Sequence, residues 1–154
     1  MSDVAIRRIG DGDVADLRSL NALFHEVFNA DEPDYRDYAE APPSDAYLAA
    51  RCTDPDFLAL GAWEGDRPVG ALAGYILRKW EQERAEIFIY DLAVAADRRR
   101  RGIATALIEA AREVARDVGA WTLFLGADQG DEGPIALYSK LGRREDVHHF
   151  DIEP

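Results

Sequence analysis

The sequence predicts an α/β domain built on a mixed β-sheet. Six short apolar stretches read as strands, four segments read as helices, and the two kinds are interleaved along the chain. A length of 154 residues suits one domain, which can bury roughly two-thirds of its unfolded surface. No repeat, low-complexity stretch or linker divides it.

The first strand runs from Val4 to Ile9. Asp11 or Asp13 can cap the helix that follows, whose apolar stripe is Val14, Leu17, Leu20, Leu23, Phe24, Val27 and Phe28. Asn29 to Pro43 is acidic and proline-bearing, too polar for a core, and reads as a loop. Ser44 caps a short helix through Cys52. Phe57 to Trp63 and Val69 to Leu77 form a hairpin about a turn at Glu64 to Pro68. After a polar turn at Trp80 to Arg84, Ala85 to Val94 is a long central strand. Ile103, Leu107, Ile108, Ala111, Val114, Ala115 and Val118 mark a second amphipathic helix, stopped by Gly119. Trp121 to Ala127 is a strand and Asp128 to Gly133 an acidic loop. Pro134 suits the first position of a helix that runs to Leu141 and ends at Gly142. Val147 to Ile152 reads as a last strand.

Thirty acidic residues against 18 Lys and Arg give a net charge of −12, the wrong sign for a nucleic-acid binder. The charge is unevenly spread. Glu26, Asp31, Glu32, Asp34, Asp37, Glu40 and Asp45 face one nearby base, Arg36, while Arg98 to Arg101 stand together. Acidic loops of this kind concentrate a cationic partner. No apolar run approaches the ~20 residues of a membrane span. The start of the chain lacks the basic and apolar regions of a signal peptide, and one cysteine suits a reducing compartment. A cytoplasmic protein is expected.

Residues 86–105 carry most of the functional information. An apolar strand ends at Val94, four arginines follow, then Gly102, and a helical pattern begins at once. Free N–H groups in a first helical turn, a helix dipole and an adjacent glycine make a phosphate site. The phosphate loop Gly-x-x-x-x-Gly-Lys-Ser/Thr does not occur in the chain.

Arg99-Arg100-Arg101-Gly102-Ile103-Ala104 resembles the pyrophosphate loop, Gln/Arg-x-x-Gly-x-Gly/Ala, of the GNAT superfamily of N-acetyltransferases. Ala136 to Gly142 resembles the same superfamily's last helix, in which a tyrosine faces the thioester sulfur. Ile89 to Val94, the Arg-Gly-Ile-Ala-Thr-Ala-Leu-Ile run, Asp128 to Leu141 and the terminal His149-Phe150-Asp151-Ile152-Glu153-Pro154 are similar to the type I aminoglycoside 3-N-acetyltransferases, the gentamicin and fortimicin acetylating enzymes. The resemblance implies a GNAT fold, with a mostly antiparallel sheet flanked by helices and a V-shaped split between central strands.

It also implies a site. Acetyl-coenzyme A would lie along Leu92, Ala93 and Val94, with its carbonyl held near Val94 where the strand bulges and parts from its neighbour. Its pyrophosphate would meet Arg99, Arg100, Arg101, Gly102, Ile103, Ala104 and Thr105. Tyr138 is the candidate acid for the leaving thiolate; its other reading is a core aromatic with its hydroxyl satisfied. Asp91, a carboxylate in an apolar strand, is the candidate acceptor of the amine's proton. Free aspartate titrates near 4, so it serves as base only where its surroundings raise it, or it orients the ammonium while water takes the proton. No serine, cysteine or histidine stands in a nucleophilic setting, so direct transfer in a ternary complex is expected.

The resemblance implies an aminoglycoside acceptor, acetylated at the 3-amino group of 2-deoxystreptamine. Asp31, Glu32, Asp34, Asp128, Asp131, Asp151 and Glu153 are candidate partners for its ammonium groups, with Tyr90 as a wall. A polyamine, another cationic metabolite or a protein amine would suit acidic loops equally, and a coenzyme-A-binding sensor without turnover is the non-enzymatic reading. His148 and His149 are adjacent and would point to opposite faces of a strand, so no metal site is expected. A homodimer is the expected assembly.

Overall fold

Five strands form one sheet in the order of the chain, and the computed structural model describes residues 3–31 (only the backbone of Asp31) and 41–154. β1 (Ala5–Arg8) leads to α1 (Val14–Asp31) and α2 (Asp45–Thr53). β2 (Phe57–Glu64), β3 (Arg67–Arg78) and β4 (Ala85–Val94) follow as a meander. A single 3-10 turn, Ala96–Arg98, precedes α3 (Ile103–Val118), β5 (Ala120–Phe124) and α4 (Glu132–Leu141). β1 to β4 pair antiparallel. β5 joins β4 in parallel, because α3 carries the chain back along the sheet before it re-enters.

Each face of the sheet is buried by helices. On one, Leu58, Leu60, Leu72, Ile87 and Ile89 pack with Ile103, Leu107 and Ala111 of α3, joined at the margin by Leu137, Tyr138 and Leu141 of α4. On the other, Ala59, Trp63, Ala71 and Ala93 pack with Leu17, Leu20, Phe24 and Val27 of α1 and Leu48 of α2. Burial of this kind contributes about 25 cal/mol per Å² of apolar surface, which is why the 3.6-residue stripe of α3 and the period-2 pattern of the strands determine their facing.

β4 and α3 lie where the sequence predicts. Ser44 caps α2 as expected, its side chain accepting from the Tyr47 N–H (3.2 Å). The Asp13 carboxylate instead accepts from the Gly10 N–H (2.8 Å), bracing the turn before α1. α1 runs on through Asn29 to Asp31, where a loop is expected from Asn29, and three further expectations need correction. β5 stops at Phe124, short of Ala127, and α4 begins at Glu132, so Pro134 is its third residue. Proline is tolerated there because first-turn N–H groups have no intrahelical acceptor. Val147 to Ile152 forms no strand, since alternation alone makes none without a ladder to join. Among the described residues no helix is long and apolar enough to cross a membrane.

The register between β3 and β4 shifts at Ala73/Gly74: Ala73 faces Asp91 and Gly74 faces Ile89, leaving Tyr90 as the extra residue of a bulge. A Cβ on Gly74 would stand 2.3 Å from the Phe88 carbonyl oxygen. Gly74→Ala is therefore expected to destabilise the fold by about 1–3 kcal/mol through strand displacement, read as a lower urea midpoint. An unchanged midpoint would show that the bulge is not closed this tightly.

Candidate active site

The bulge at Tyr90 shapes the site. It places Tyr90 and Asp91 in succession on the face that carries α1 and α2. It also lets Ile87 and Ile89 before it, and Leu92 and Val94 after it, share the α3 side. β4 and β5 pair only from Ala85 to Phe88. Beyond Phe88 the strands part, so the edge of β4 from Tyr90 to Val94 has no strand beside it among the described residues. The bulge, expected near Val94, falls four residues earlier.

Backbone direction along that open edge follows from one bond. Ala95 donates its N–H to Val69 (2.9 Å), so by antiparallel alternation Asp91, Ala93 and Ala95 turn their backbone groups to β3. Leu92 and Val94 turn theirs to the split. The Val94 carbonyl there accepts from Arg99 Nε (3.3 Å). Ala93, grouped with these two in the sequence, is not on the edge: its backbone serves β3 and its side chain is buried under α1.

The end of the split meets the start of α3. Gly102 has φ +79° and Arg100 φ +62°, a left-handed turn that gathers successive N–H groups in a concave loop. Among the described residues no side chain caps α3, its first turn holds no acid, and the helix ladder begins with Ala106 donating to Gly102 (2.9 Å). The N–H groups of Ile103, Ala104 and Thr105 thus lack ladder partners. A Cβ built on Gly102 meets nothing within 4 Å, so the space before it is open. The arginines divide. Arg98 bonds Glu64 (2.9 Å) and pairs with Asp97, which Arg67 holds in turn, so it locks the loop to the hairpin. Hydrogen bonding from Arg67 keeps the Asp97 carboxyl below the usual range. Arg100 and Arg101 stay exposed beside the helix start.

Asp91 lies within electrostatic reach of the Tyr75 phenol. Partial burial raises Tyr75 above its ordinary value, and the Tyr47 phenol and the Asp91 carboxylate add to the shift, placing all three within electrostatic reach. The Tyr90 ring meets Tyr75 (6.2 Å) and Phe88 (5.0 Å) edge-on, and Phe88 stacks on Phe124 (4.9 Å). Tyr138 lies on the other face, packed against the α3 core. Burial, and then the Asp131 carboxylate, push its phenol upward, so it stays protonated through the neutral range. Such a hydroxyl is a ready donor to a thiolate and a weak acid by itself. Cys52 packs under α1 with its thiol raised by burial, the opposite of an activated nucleophile.

An open strand edge running into an uncapped helix N-terminus, with a carboxylate on one face and a phenol on the other, suits group transfer from a phosphate-bearing donor. The chain matches the acetyltransferase (GNAT) family over residues 24–142. It belongs to that family. GNAT enzymes take acetyl from acetyl-coenzyme A. No curated protein matches the chain. Among solved structures it is similar to an aminoglycoside acetyltransferase from an uncultured soil metagenomic sample. The two share 46% identity over 99% of each chain, with a TM-score of 0.91. A second aminoglycoside acetyltransferase from such a sample, in complex with sisomicin, is 23% identical over 98% of this chain and 97% of its own, TM-score 0.83. The aminoglycoside N-acetyltransferase AAC(6')-Iy, in complex with CoA, is 15% identical over 100% and 96%, TM-score 0.73. These last two share the fold alone.

The remaining candidate residues of this GNAT acetyltransferase are scattered. Asp131 lies beside Tyr138, and Asp128 is exposed in the same loop, its carbonyl bonded to the Asp131 N–H (3.2 Å). Asp31 ends α1, and Glu32 and Asp34 lie outside the described residues. Asp151 and Glu153 sit in an exposed tail, where Asp151 pairs with His149 (2.9 Å). Tyr47 and Tyr75 were not legible as site residues. A tyrosine on a short helix and another in a strand carry no motif, and only the fold brings Tyr75 within electrostatic reach of Tyr47 and Asp91.

Proposed function

We propose that the chain transfers acetyl from acetyl-coenzyme A to the 3-amino group of an aminoglycoside, directly, in a ternary complex. One observation carries this reading: the open edge at Leu92 and Val94 lies between Asp91 on one face and Tyr138 on the other, and ends at the uncapped start of α3. The pantetheine arm adds to that edge as a strand would, and the pyrophosphate meets the N–H groups from Gly102 to Thr105 with Arg100 and Arg101 beside them. The amine approaches from the α1 and α2 face, where Tyr75 lies within electrostatic reach of Asp91 and Tyr90 precedes it in the strand. Asp91 receives its proton, directly or through one water, as nitrogen bonds to the thioester carbon. An outward N–H of Leu92 or Val94 holds the carbonyl oxygen as it gains charge. The carbon–sulfur bond then breaks, and Tyr138 supplies a hydrogen bond or proton to the sulfur from the other face.

The 46% identical neighbour supports an aminoglycoside acceptor, and the likeness of residues 149–154 to the 3-N-acetylating group supports the position. Free thiol is expected when the protein meets acetyl-coenzyme A with gentamicin, sisomicin or fortimicin, and the product's NMR spectrum should show an acetylated 3-amino group. Silence with all three drugs, together with turnover of spermidine, would sink the assignment. Acetylation at another amine would overturn the position alone.

A further inference from the structure

Aromatic residues line up across four strands. Phe57 pairs with Tyr75, Tyr75 with Phe88, and Phe88 with Phe124 in the register of β2, β3, β4 and β5. Directly paired residues share a face of the sheet, and Phe57 packs with the α1 core, so the row lies on the α1 and α2 side. Phe57 and Tyr75 stand 5.8 Å apart between ring centres, and Phe88 stacks on Phe124 at 4.9 Å. The bulge links the two pairs, since Tyr90 meets both Tyr75 (6.2 Å) and Phe88 (5.0 Å) edge-on. With strands about 4.8 Å apart, the row spans about 14 Å.

Support of the sheet does not account for this row. Where α1 packs on the same face the strands carry alanines, and Ala59, Ala71 and Ala93 are at most 4% exposed. Small residues there let the helix approach closely. Further along the same face stand the large rings, and three of them stay open to solvent. Tyr75 is 41%, Tyr90 65% and Phe124 40% exposed. Large apolar rings set side by side in water mark a binding surface. Asp91 follows Tyr90 directly and, through the bulge, shares its face. A carboxylate thus stands at the margin of an aromatic floor, a pairing suited to a cation with an apolar side.

We infer that this row is the floor of the acceptor site, and that it selects amines carried on saturated rings over amines on linear chains. That role rests on the proposed acetyl transfer and adds to it a basis for acceptor choice. A saturated ring with equatorial substituents turns its axial C–H bonds outward as a flat apolar face, which fits the negative face of an aromatic ring. Ammonium groups on the ring make those C–H bonds more positive, and are themselves drawn to the π-system. Asp91 meets the amine at the edge of the acceptor ring while the floor holds its face, so the reacting nitrogen is fixed in two directions. A linear polyamine satisfies carboxylates equally well. It has no face to stack, and more of its torsional freedom is lost on binding.

Calorimetric titration of sisomicin and of spermidine, with coenzyme A present, reads the floor without turnover. Tyr90→Leu and Phe124→Leu each keep apolar bulk and remove one ring. Each is expected to raise the Kd for sisomicin by roughly 3- to 30-fold. Tyr90→Phe keeps the ring and is expected to keep most of the affinity. Circular dichroism verifies that the variants fold, and the two leucine variants lie on different strands, so either one can be read alone. Unchanged sisomicin affinity in the folded leucine variants overturns the floor. So does a loss in Tyr90→Phe as large as that in Tyr90→Leu, which would assign the contact to the hydroxyl. A wild-type chain that binds spermidine as tightly as sisomicin overturns the selection. Failure of the wild-type chain to bind sisomicin at all overturns the acceptor reading itself, and the floor with it.

Discussion

Asp91→Asn should lower kcat by roughly 10²- to 10³-fold while leaving the affinity for acetyl-coenzyme A unchanged. The amide keeps the size and most of the hydrogen-bonding capacity of the carboxylate, so the bulge and its phenols stay in place. It cannot take the proton that the amine sheds as its nitrogen bonds to the thioester carbon, the role proposed for Asp91, and only the transition state requires that. A loss of this size corresponds to about 3–4 kcal/mol of barrier. Calorimetric titration of the coenzyme and steady-state kinetics on the acceptor separate the two effects. The edge proposed for the coenzyme, at Leu92 and Val94, has backbone directions set by the β3 ladder and not by the Asp91 side chain. An unchanged kcat would remove Asp91 from the mechanism. A kcat that falls together with coenzyme affinity would mean that the variant has disturbed the strand.

Gly102→Val should abolish coenzyme binding at concentrations up to about 100 times the wild-type Kd, a loss of at least about 2.7 kcal/mol. Two effects combine. At φ +79° a β-branched residue is strained by about 1–2 kcal/mol, which opens the turn and scatters the N–H groups. The added methyls also project into the open space in front of the helix start, where the pyrophosphate is proposed to sit. The fold should survive, with Tm lower by about 2–8 °C, because α3 is held by Ile103, Leu107 and Ala111 in the core. A folded variant that still binds the coenzyme would refute the loop assignment.

Much of the framework of the candidate site was legible before the fold was known, for local reasons. β4 and α3 have the limits predicted from their apolar periodicity, because a long buried strand and a strongly striped helix leave little ambiguity in where they start and stop. The turn between them was legible because a glycine after an arginine run marks where a chain can turn left-handed into a helix, as Gly102 does at φ +79°. What could not be read were the relations that the sheet creates. The bulge falls at Tyr90 because Gly74 on the neighbouring strand allows the Phe88 carbonyl to approach, a coincidence of two distant residues. Arg98 differs from its three neighbours only because Glu64 of the β2–β3 hairpin lies beside it.

The sequence by itself determined an α/β chain with a glycine turn opening a helix after an arginine run, a carboxylate in its central strand and acidic loops. Those properties follow from residue type and spacing, which act over a few neighbours. Tertiary structure alone decided which of them meet. It parted β4 from β5 after Phe88, set Asp91 and Tyr138 on opposite faces of the opening, brought Tyr75 within electrostatic reach of Tyr47 and the carboxylate, and left the tail without a strand beside it among the described residues. Pairing, register and burial are long-range, and a strand exists only where another edge completes its hydrogen bonds.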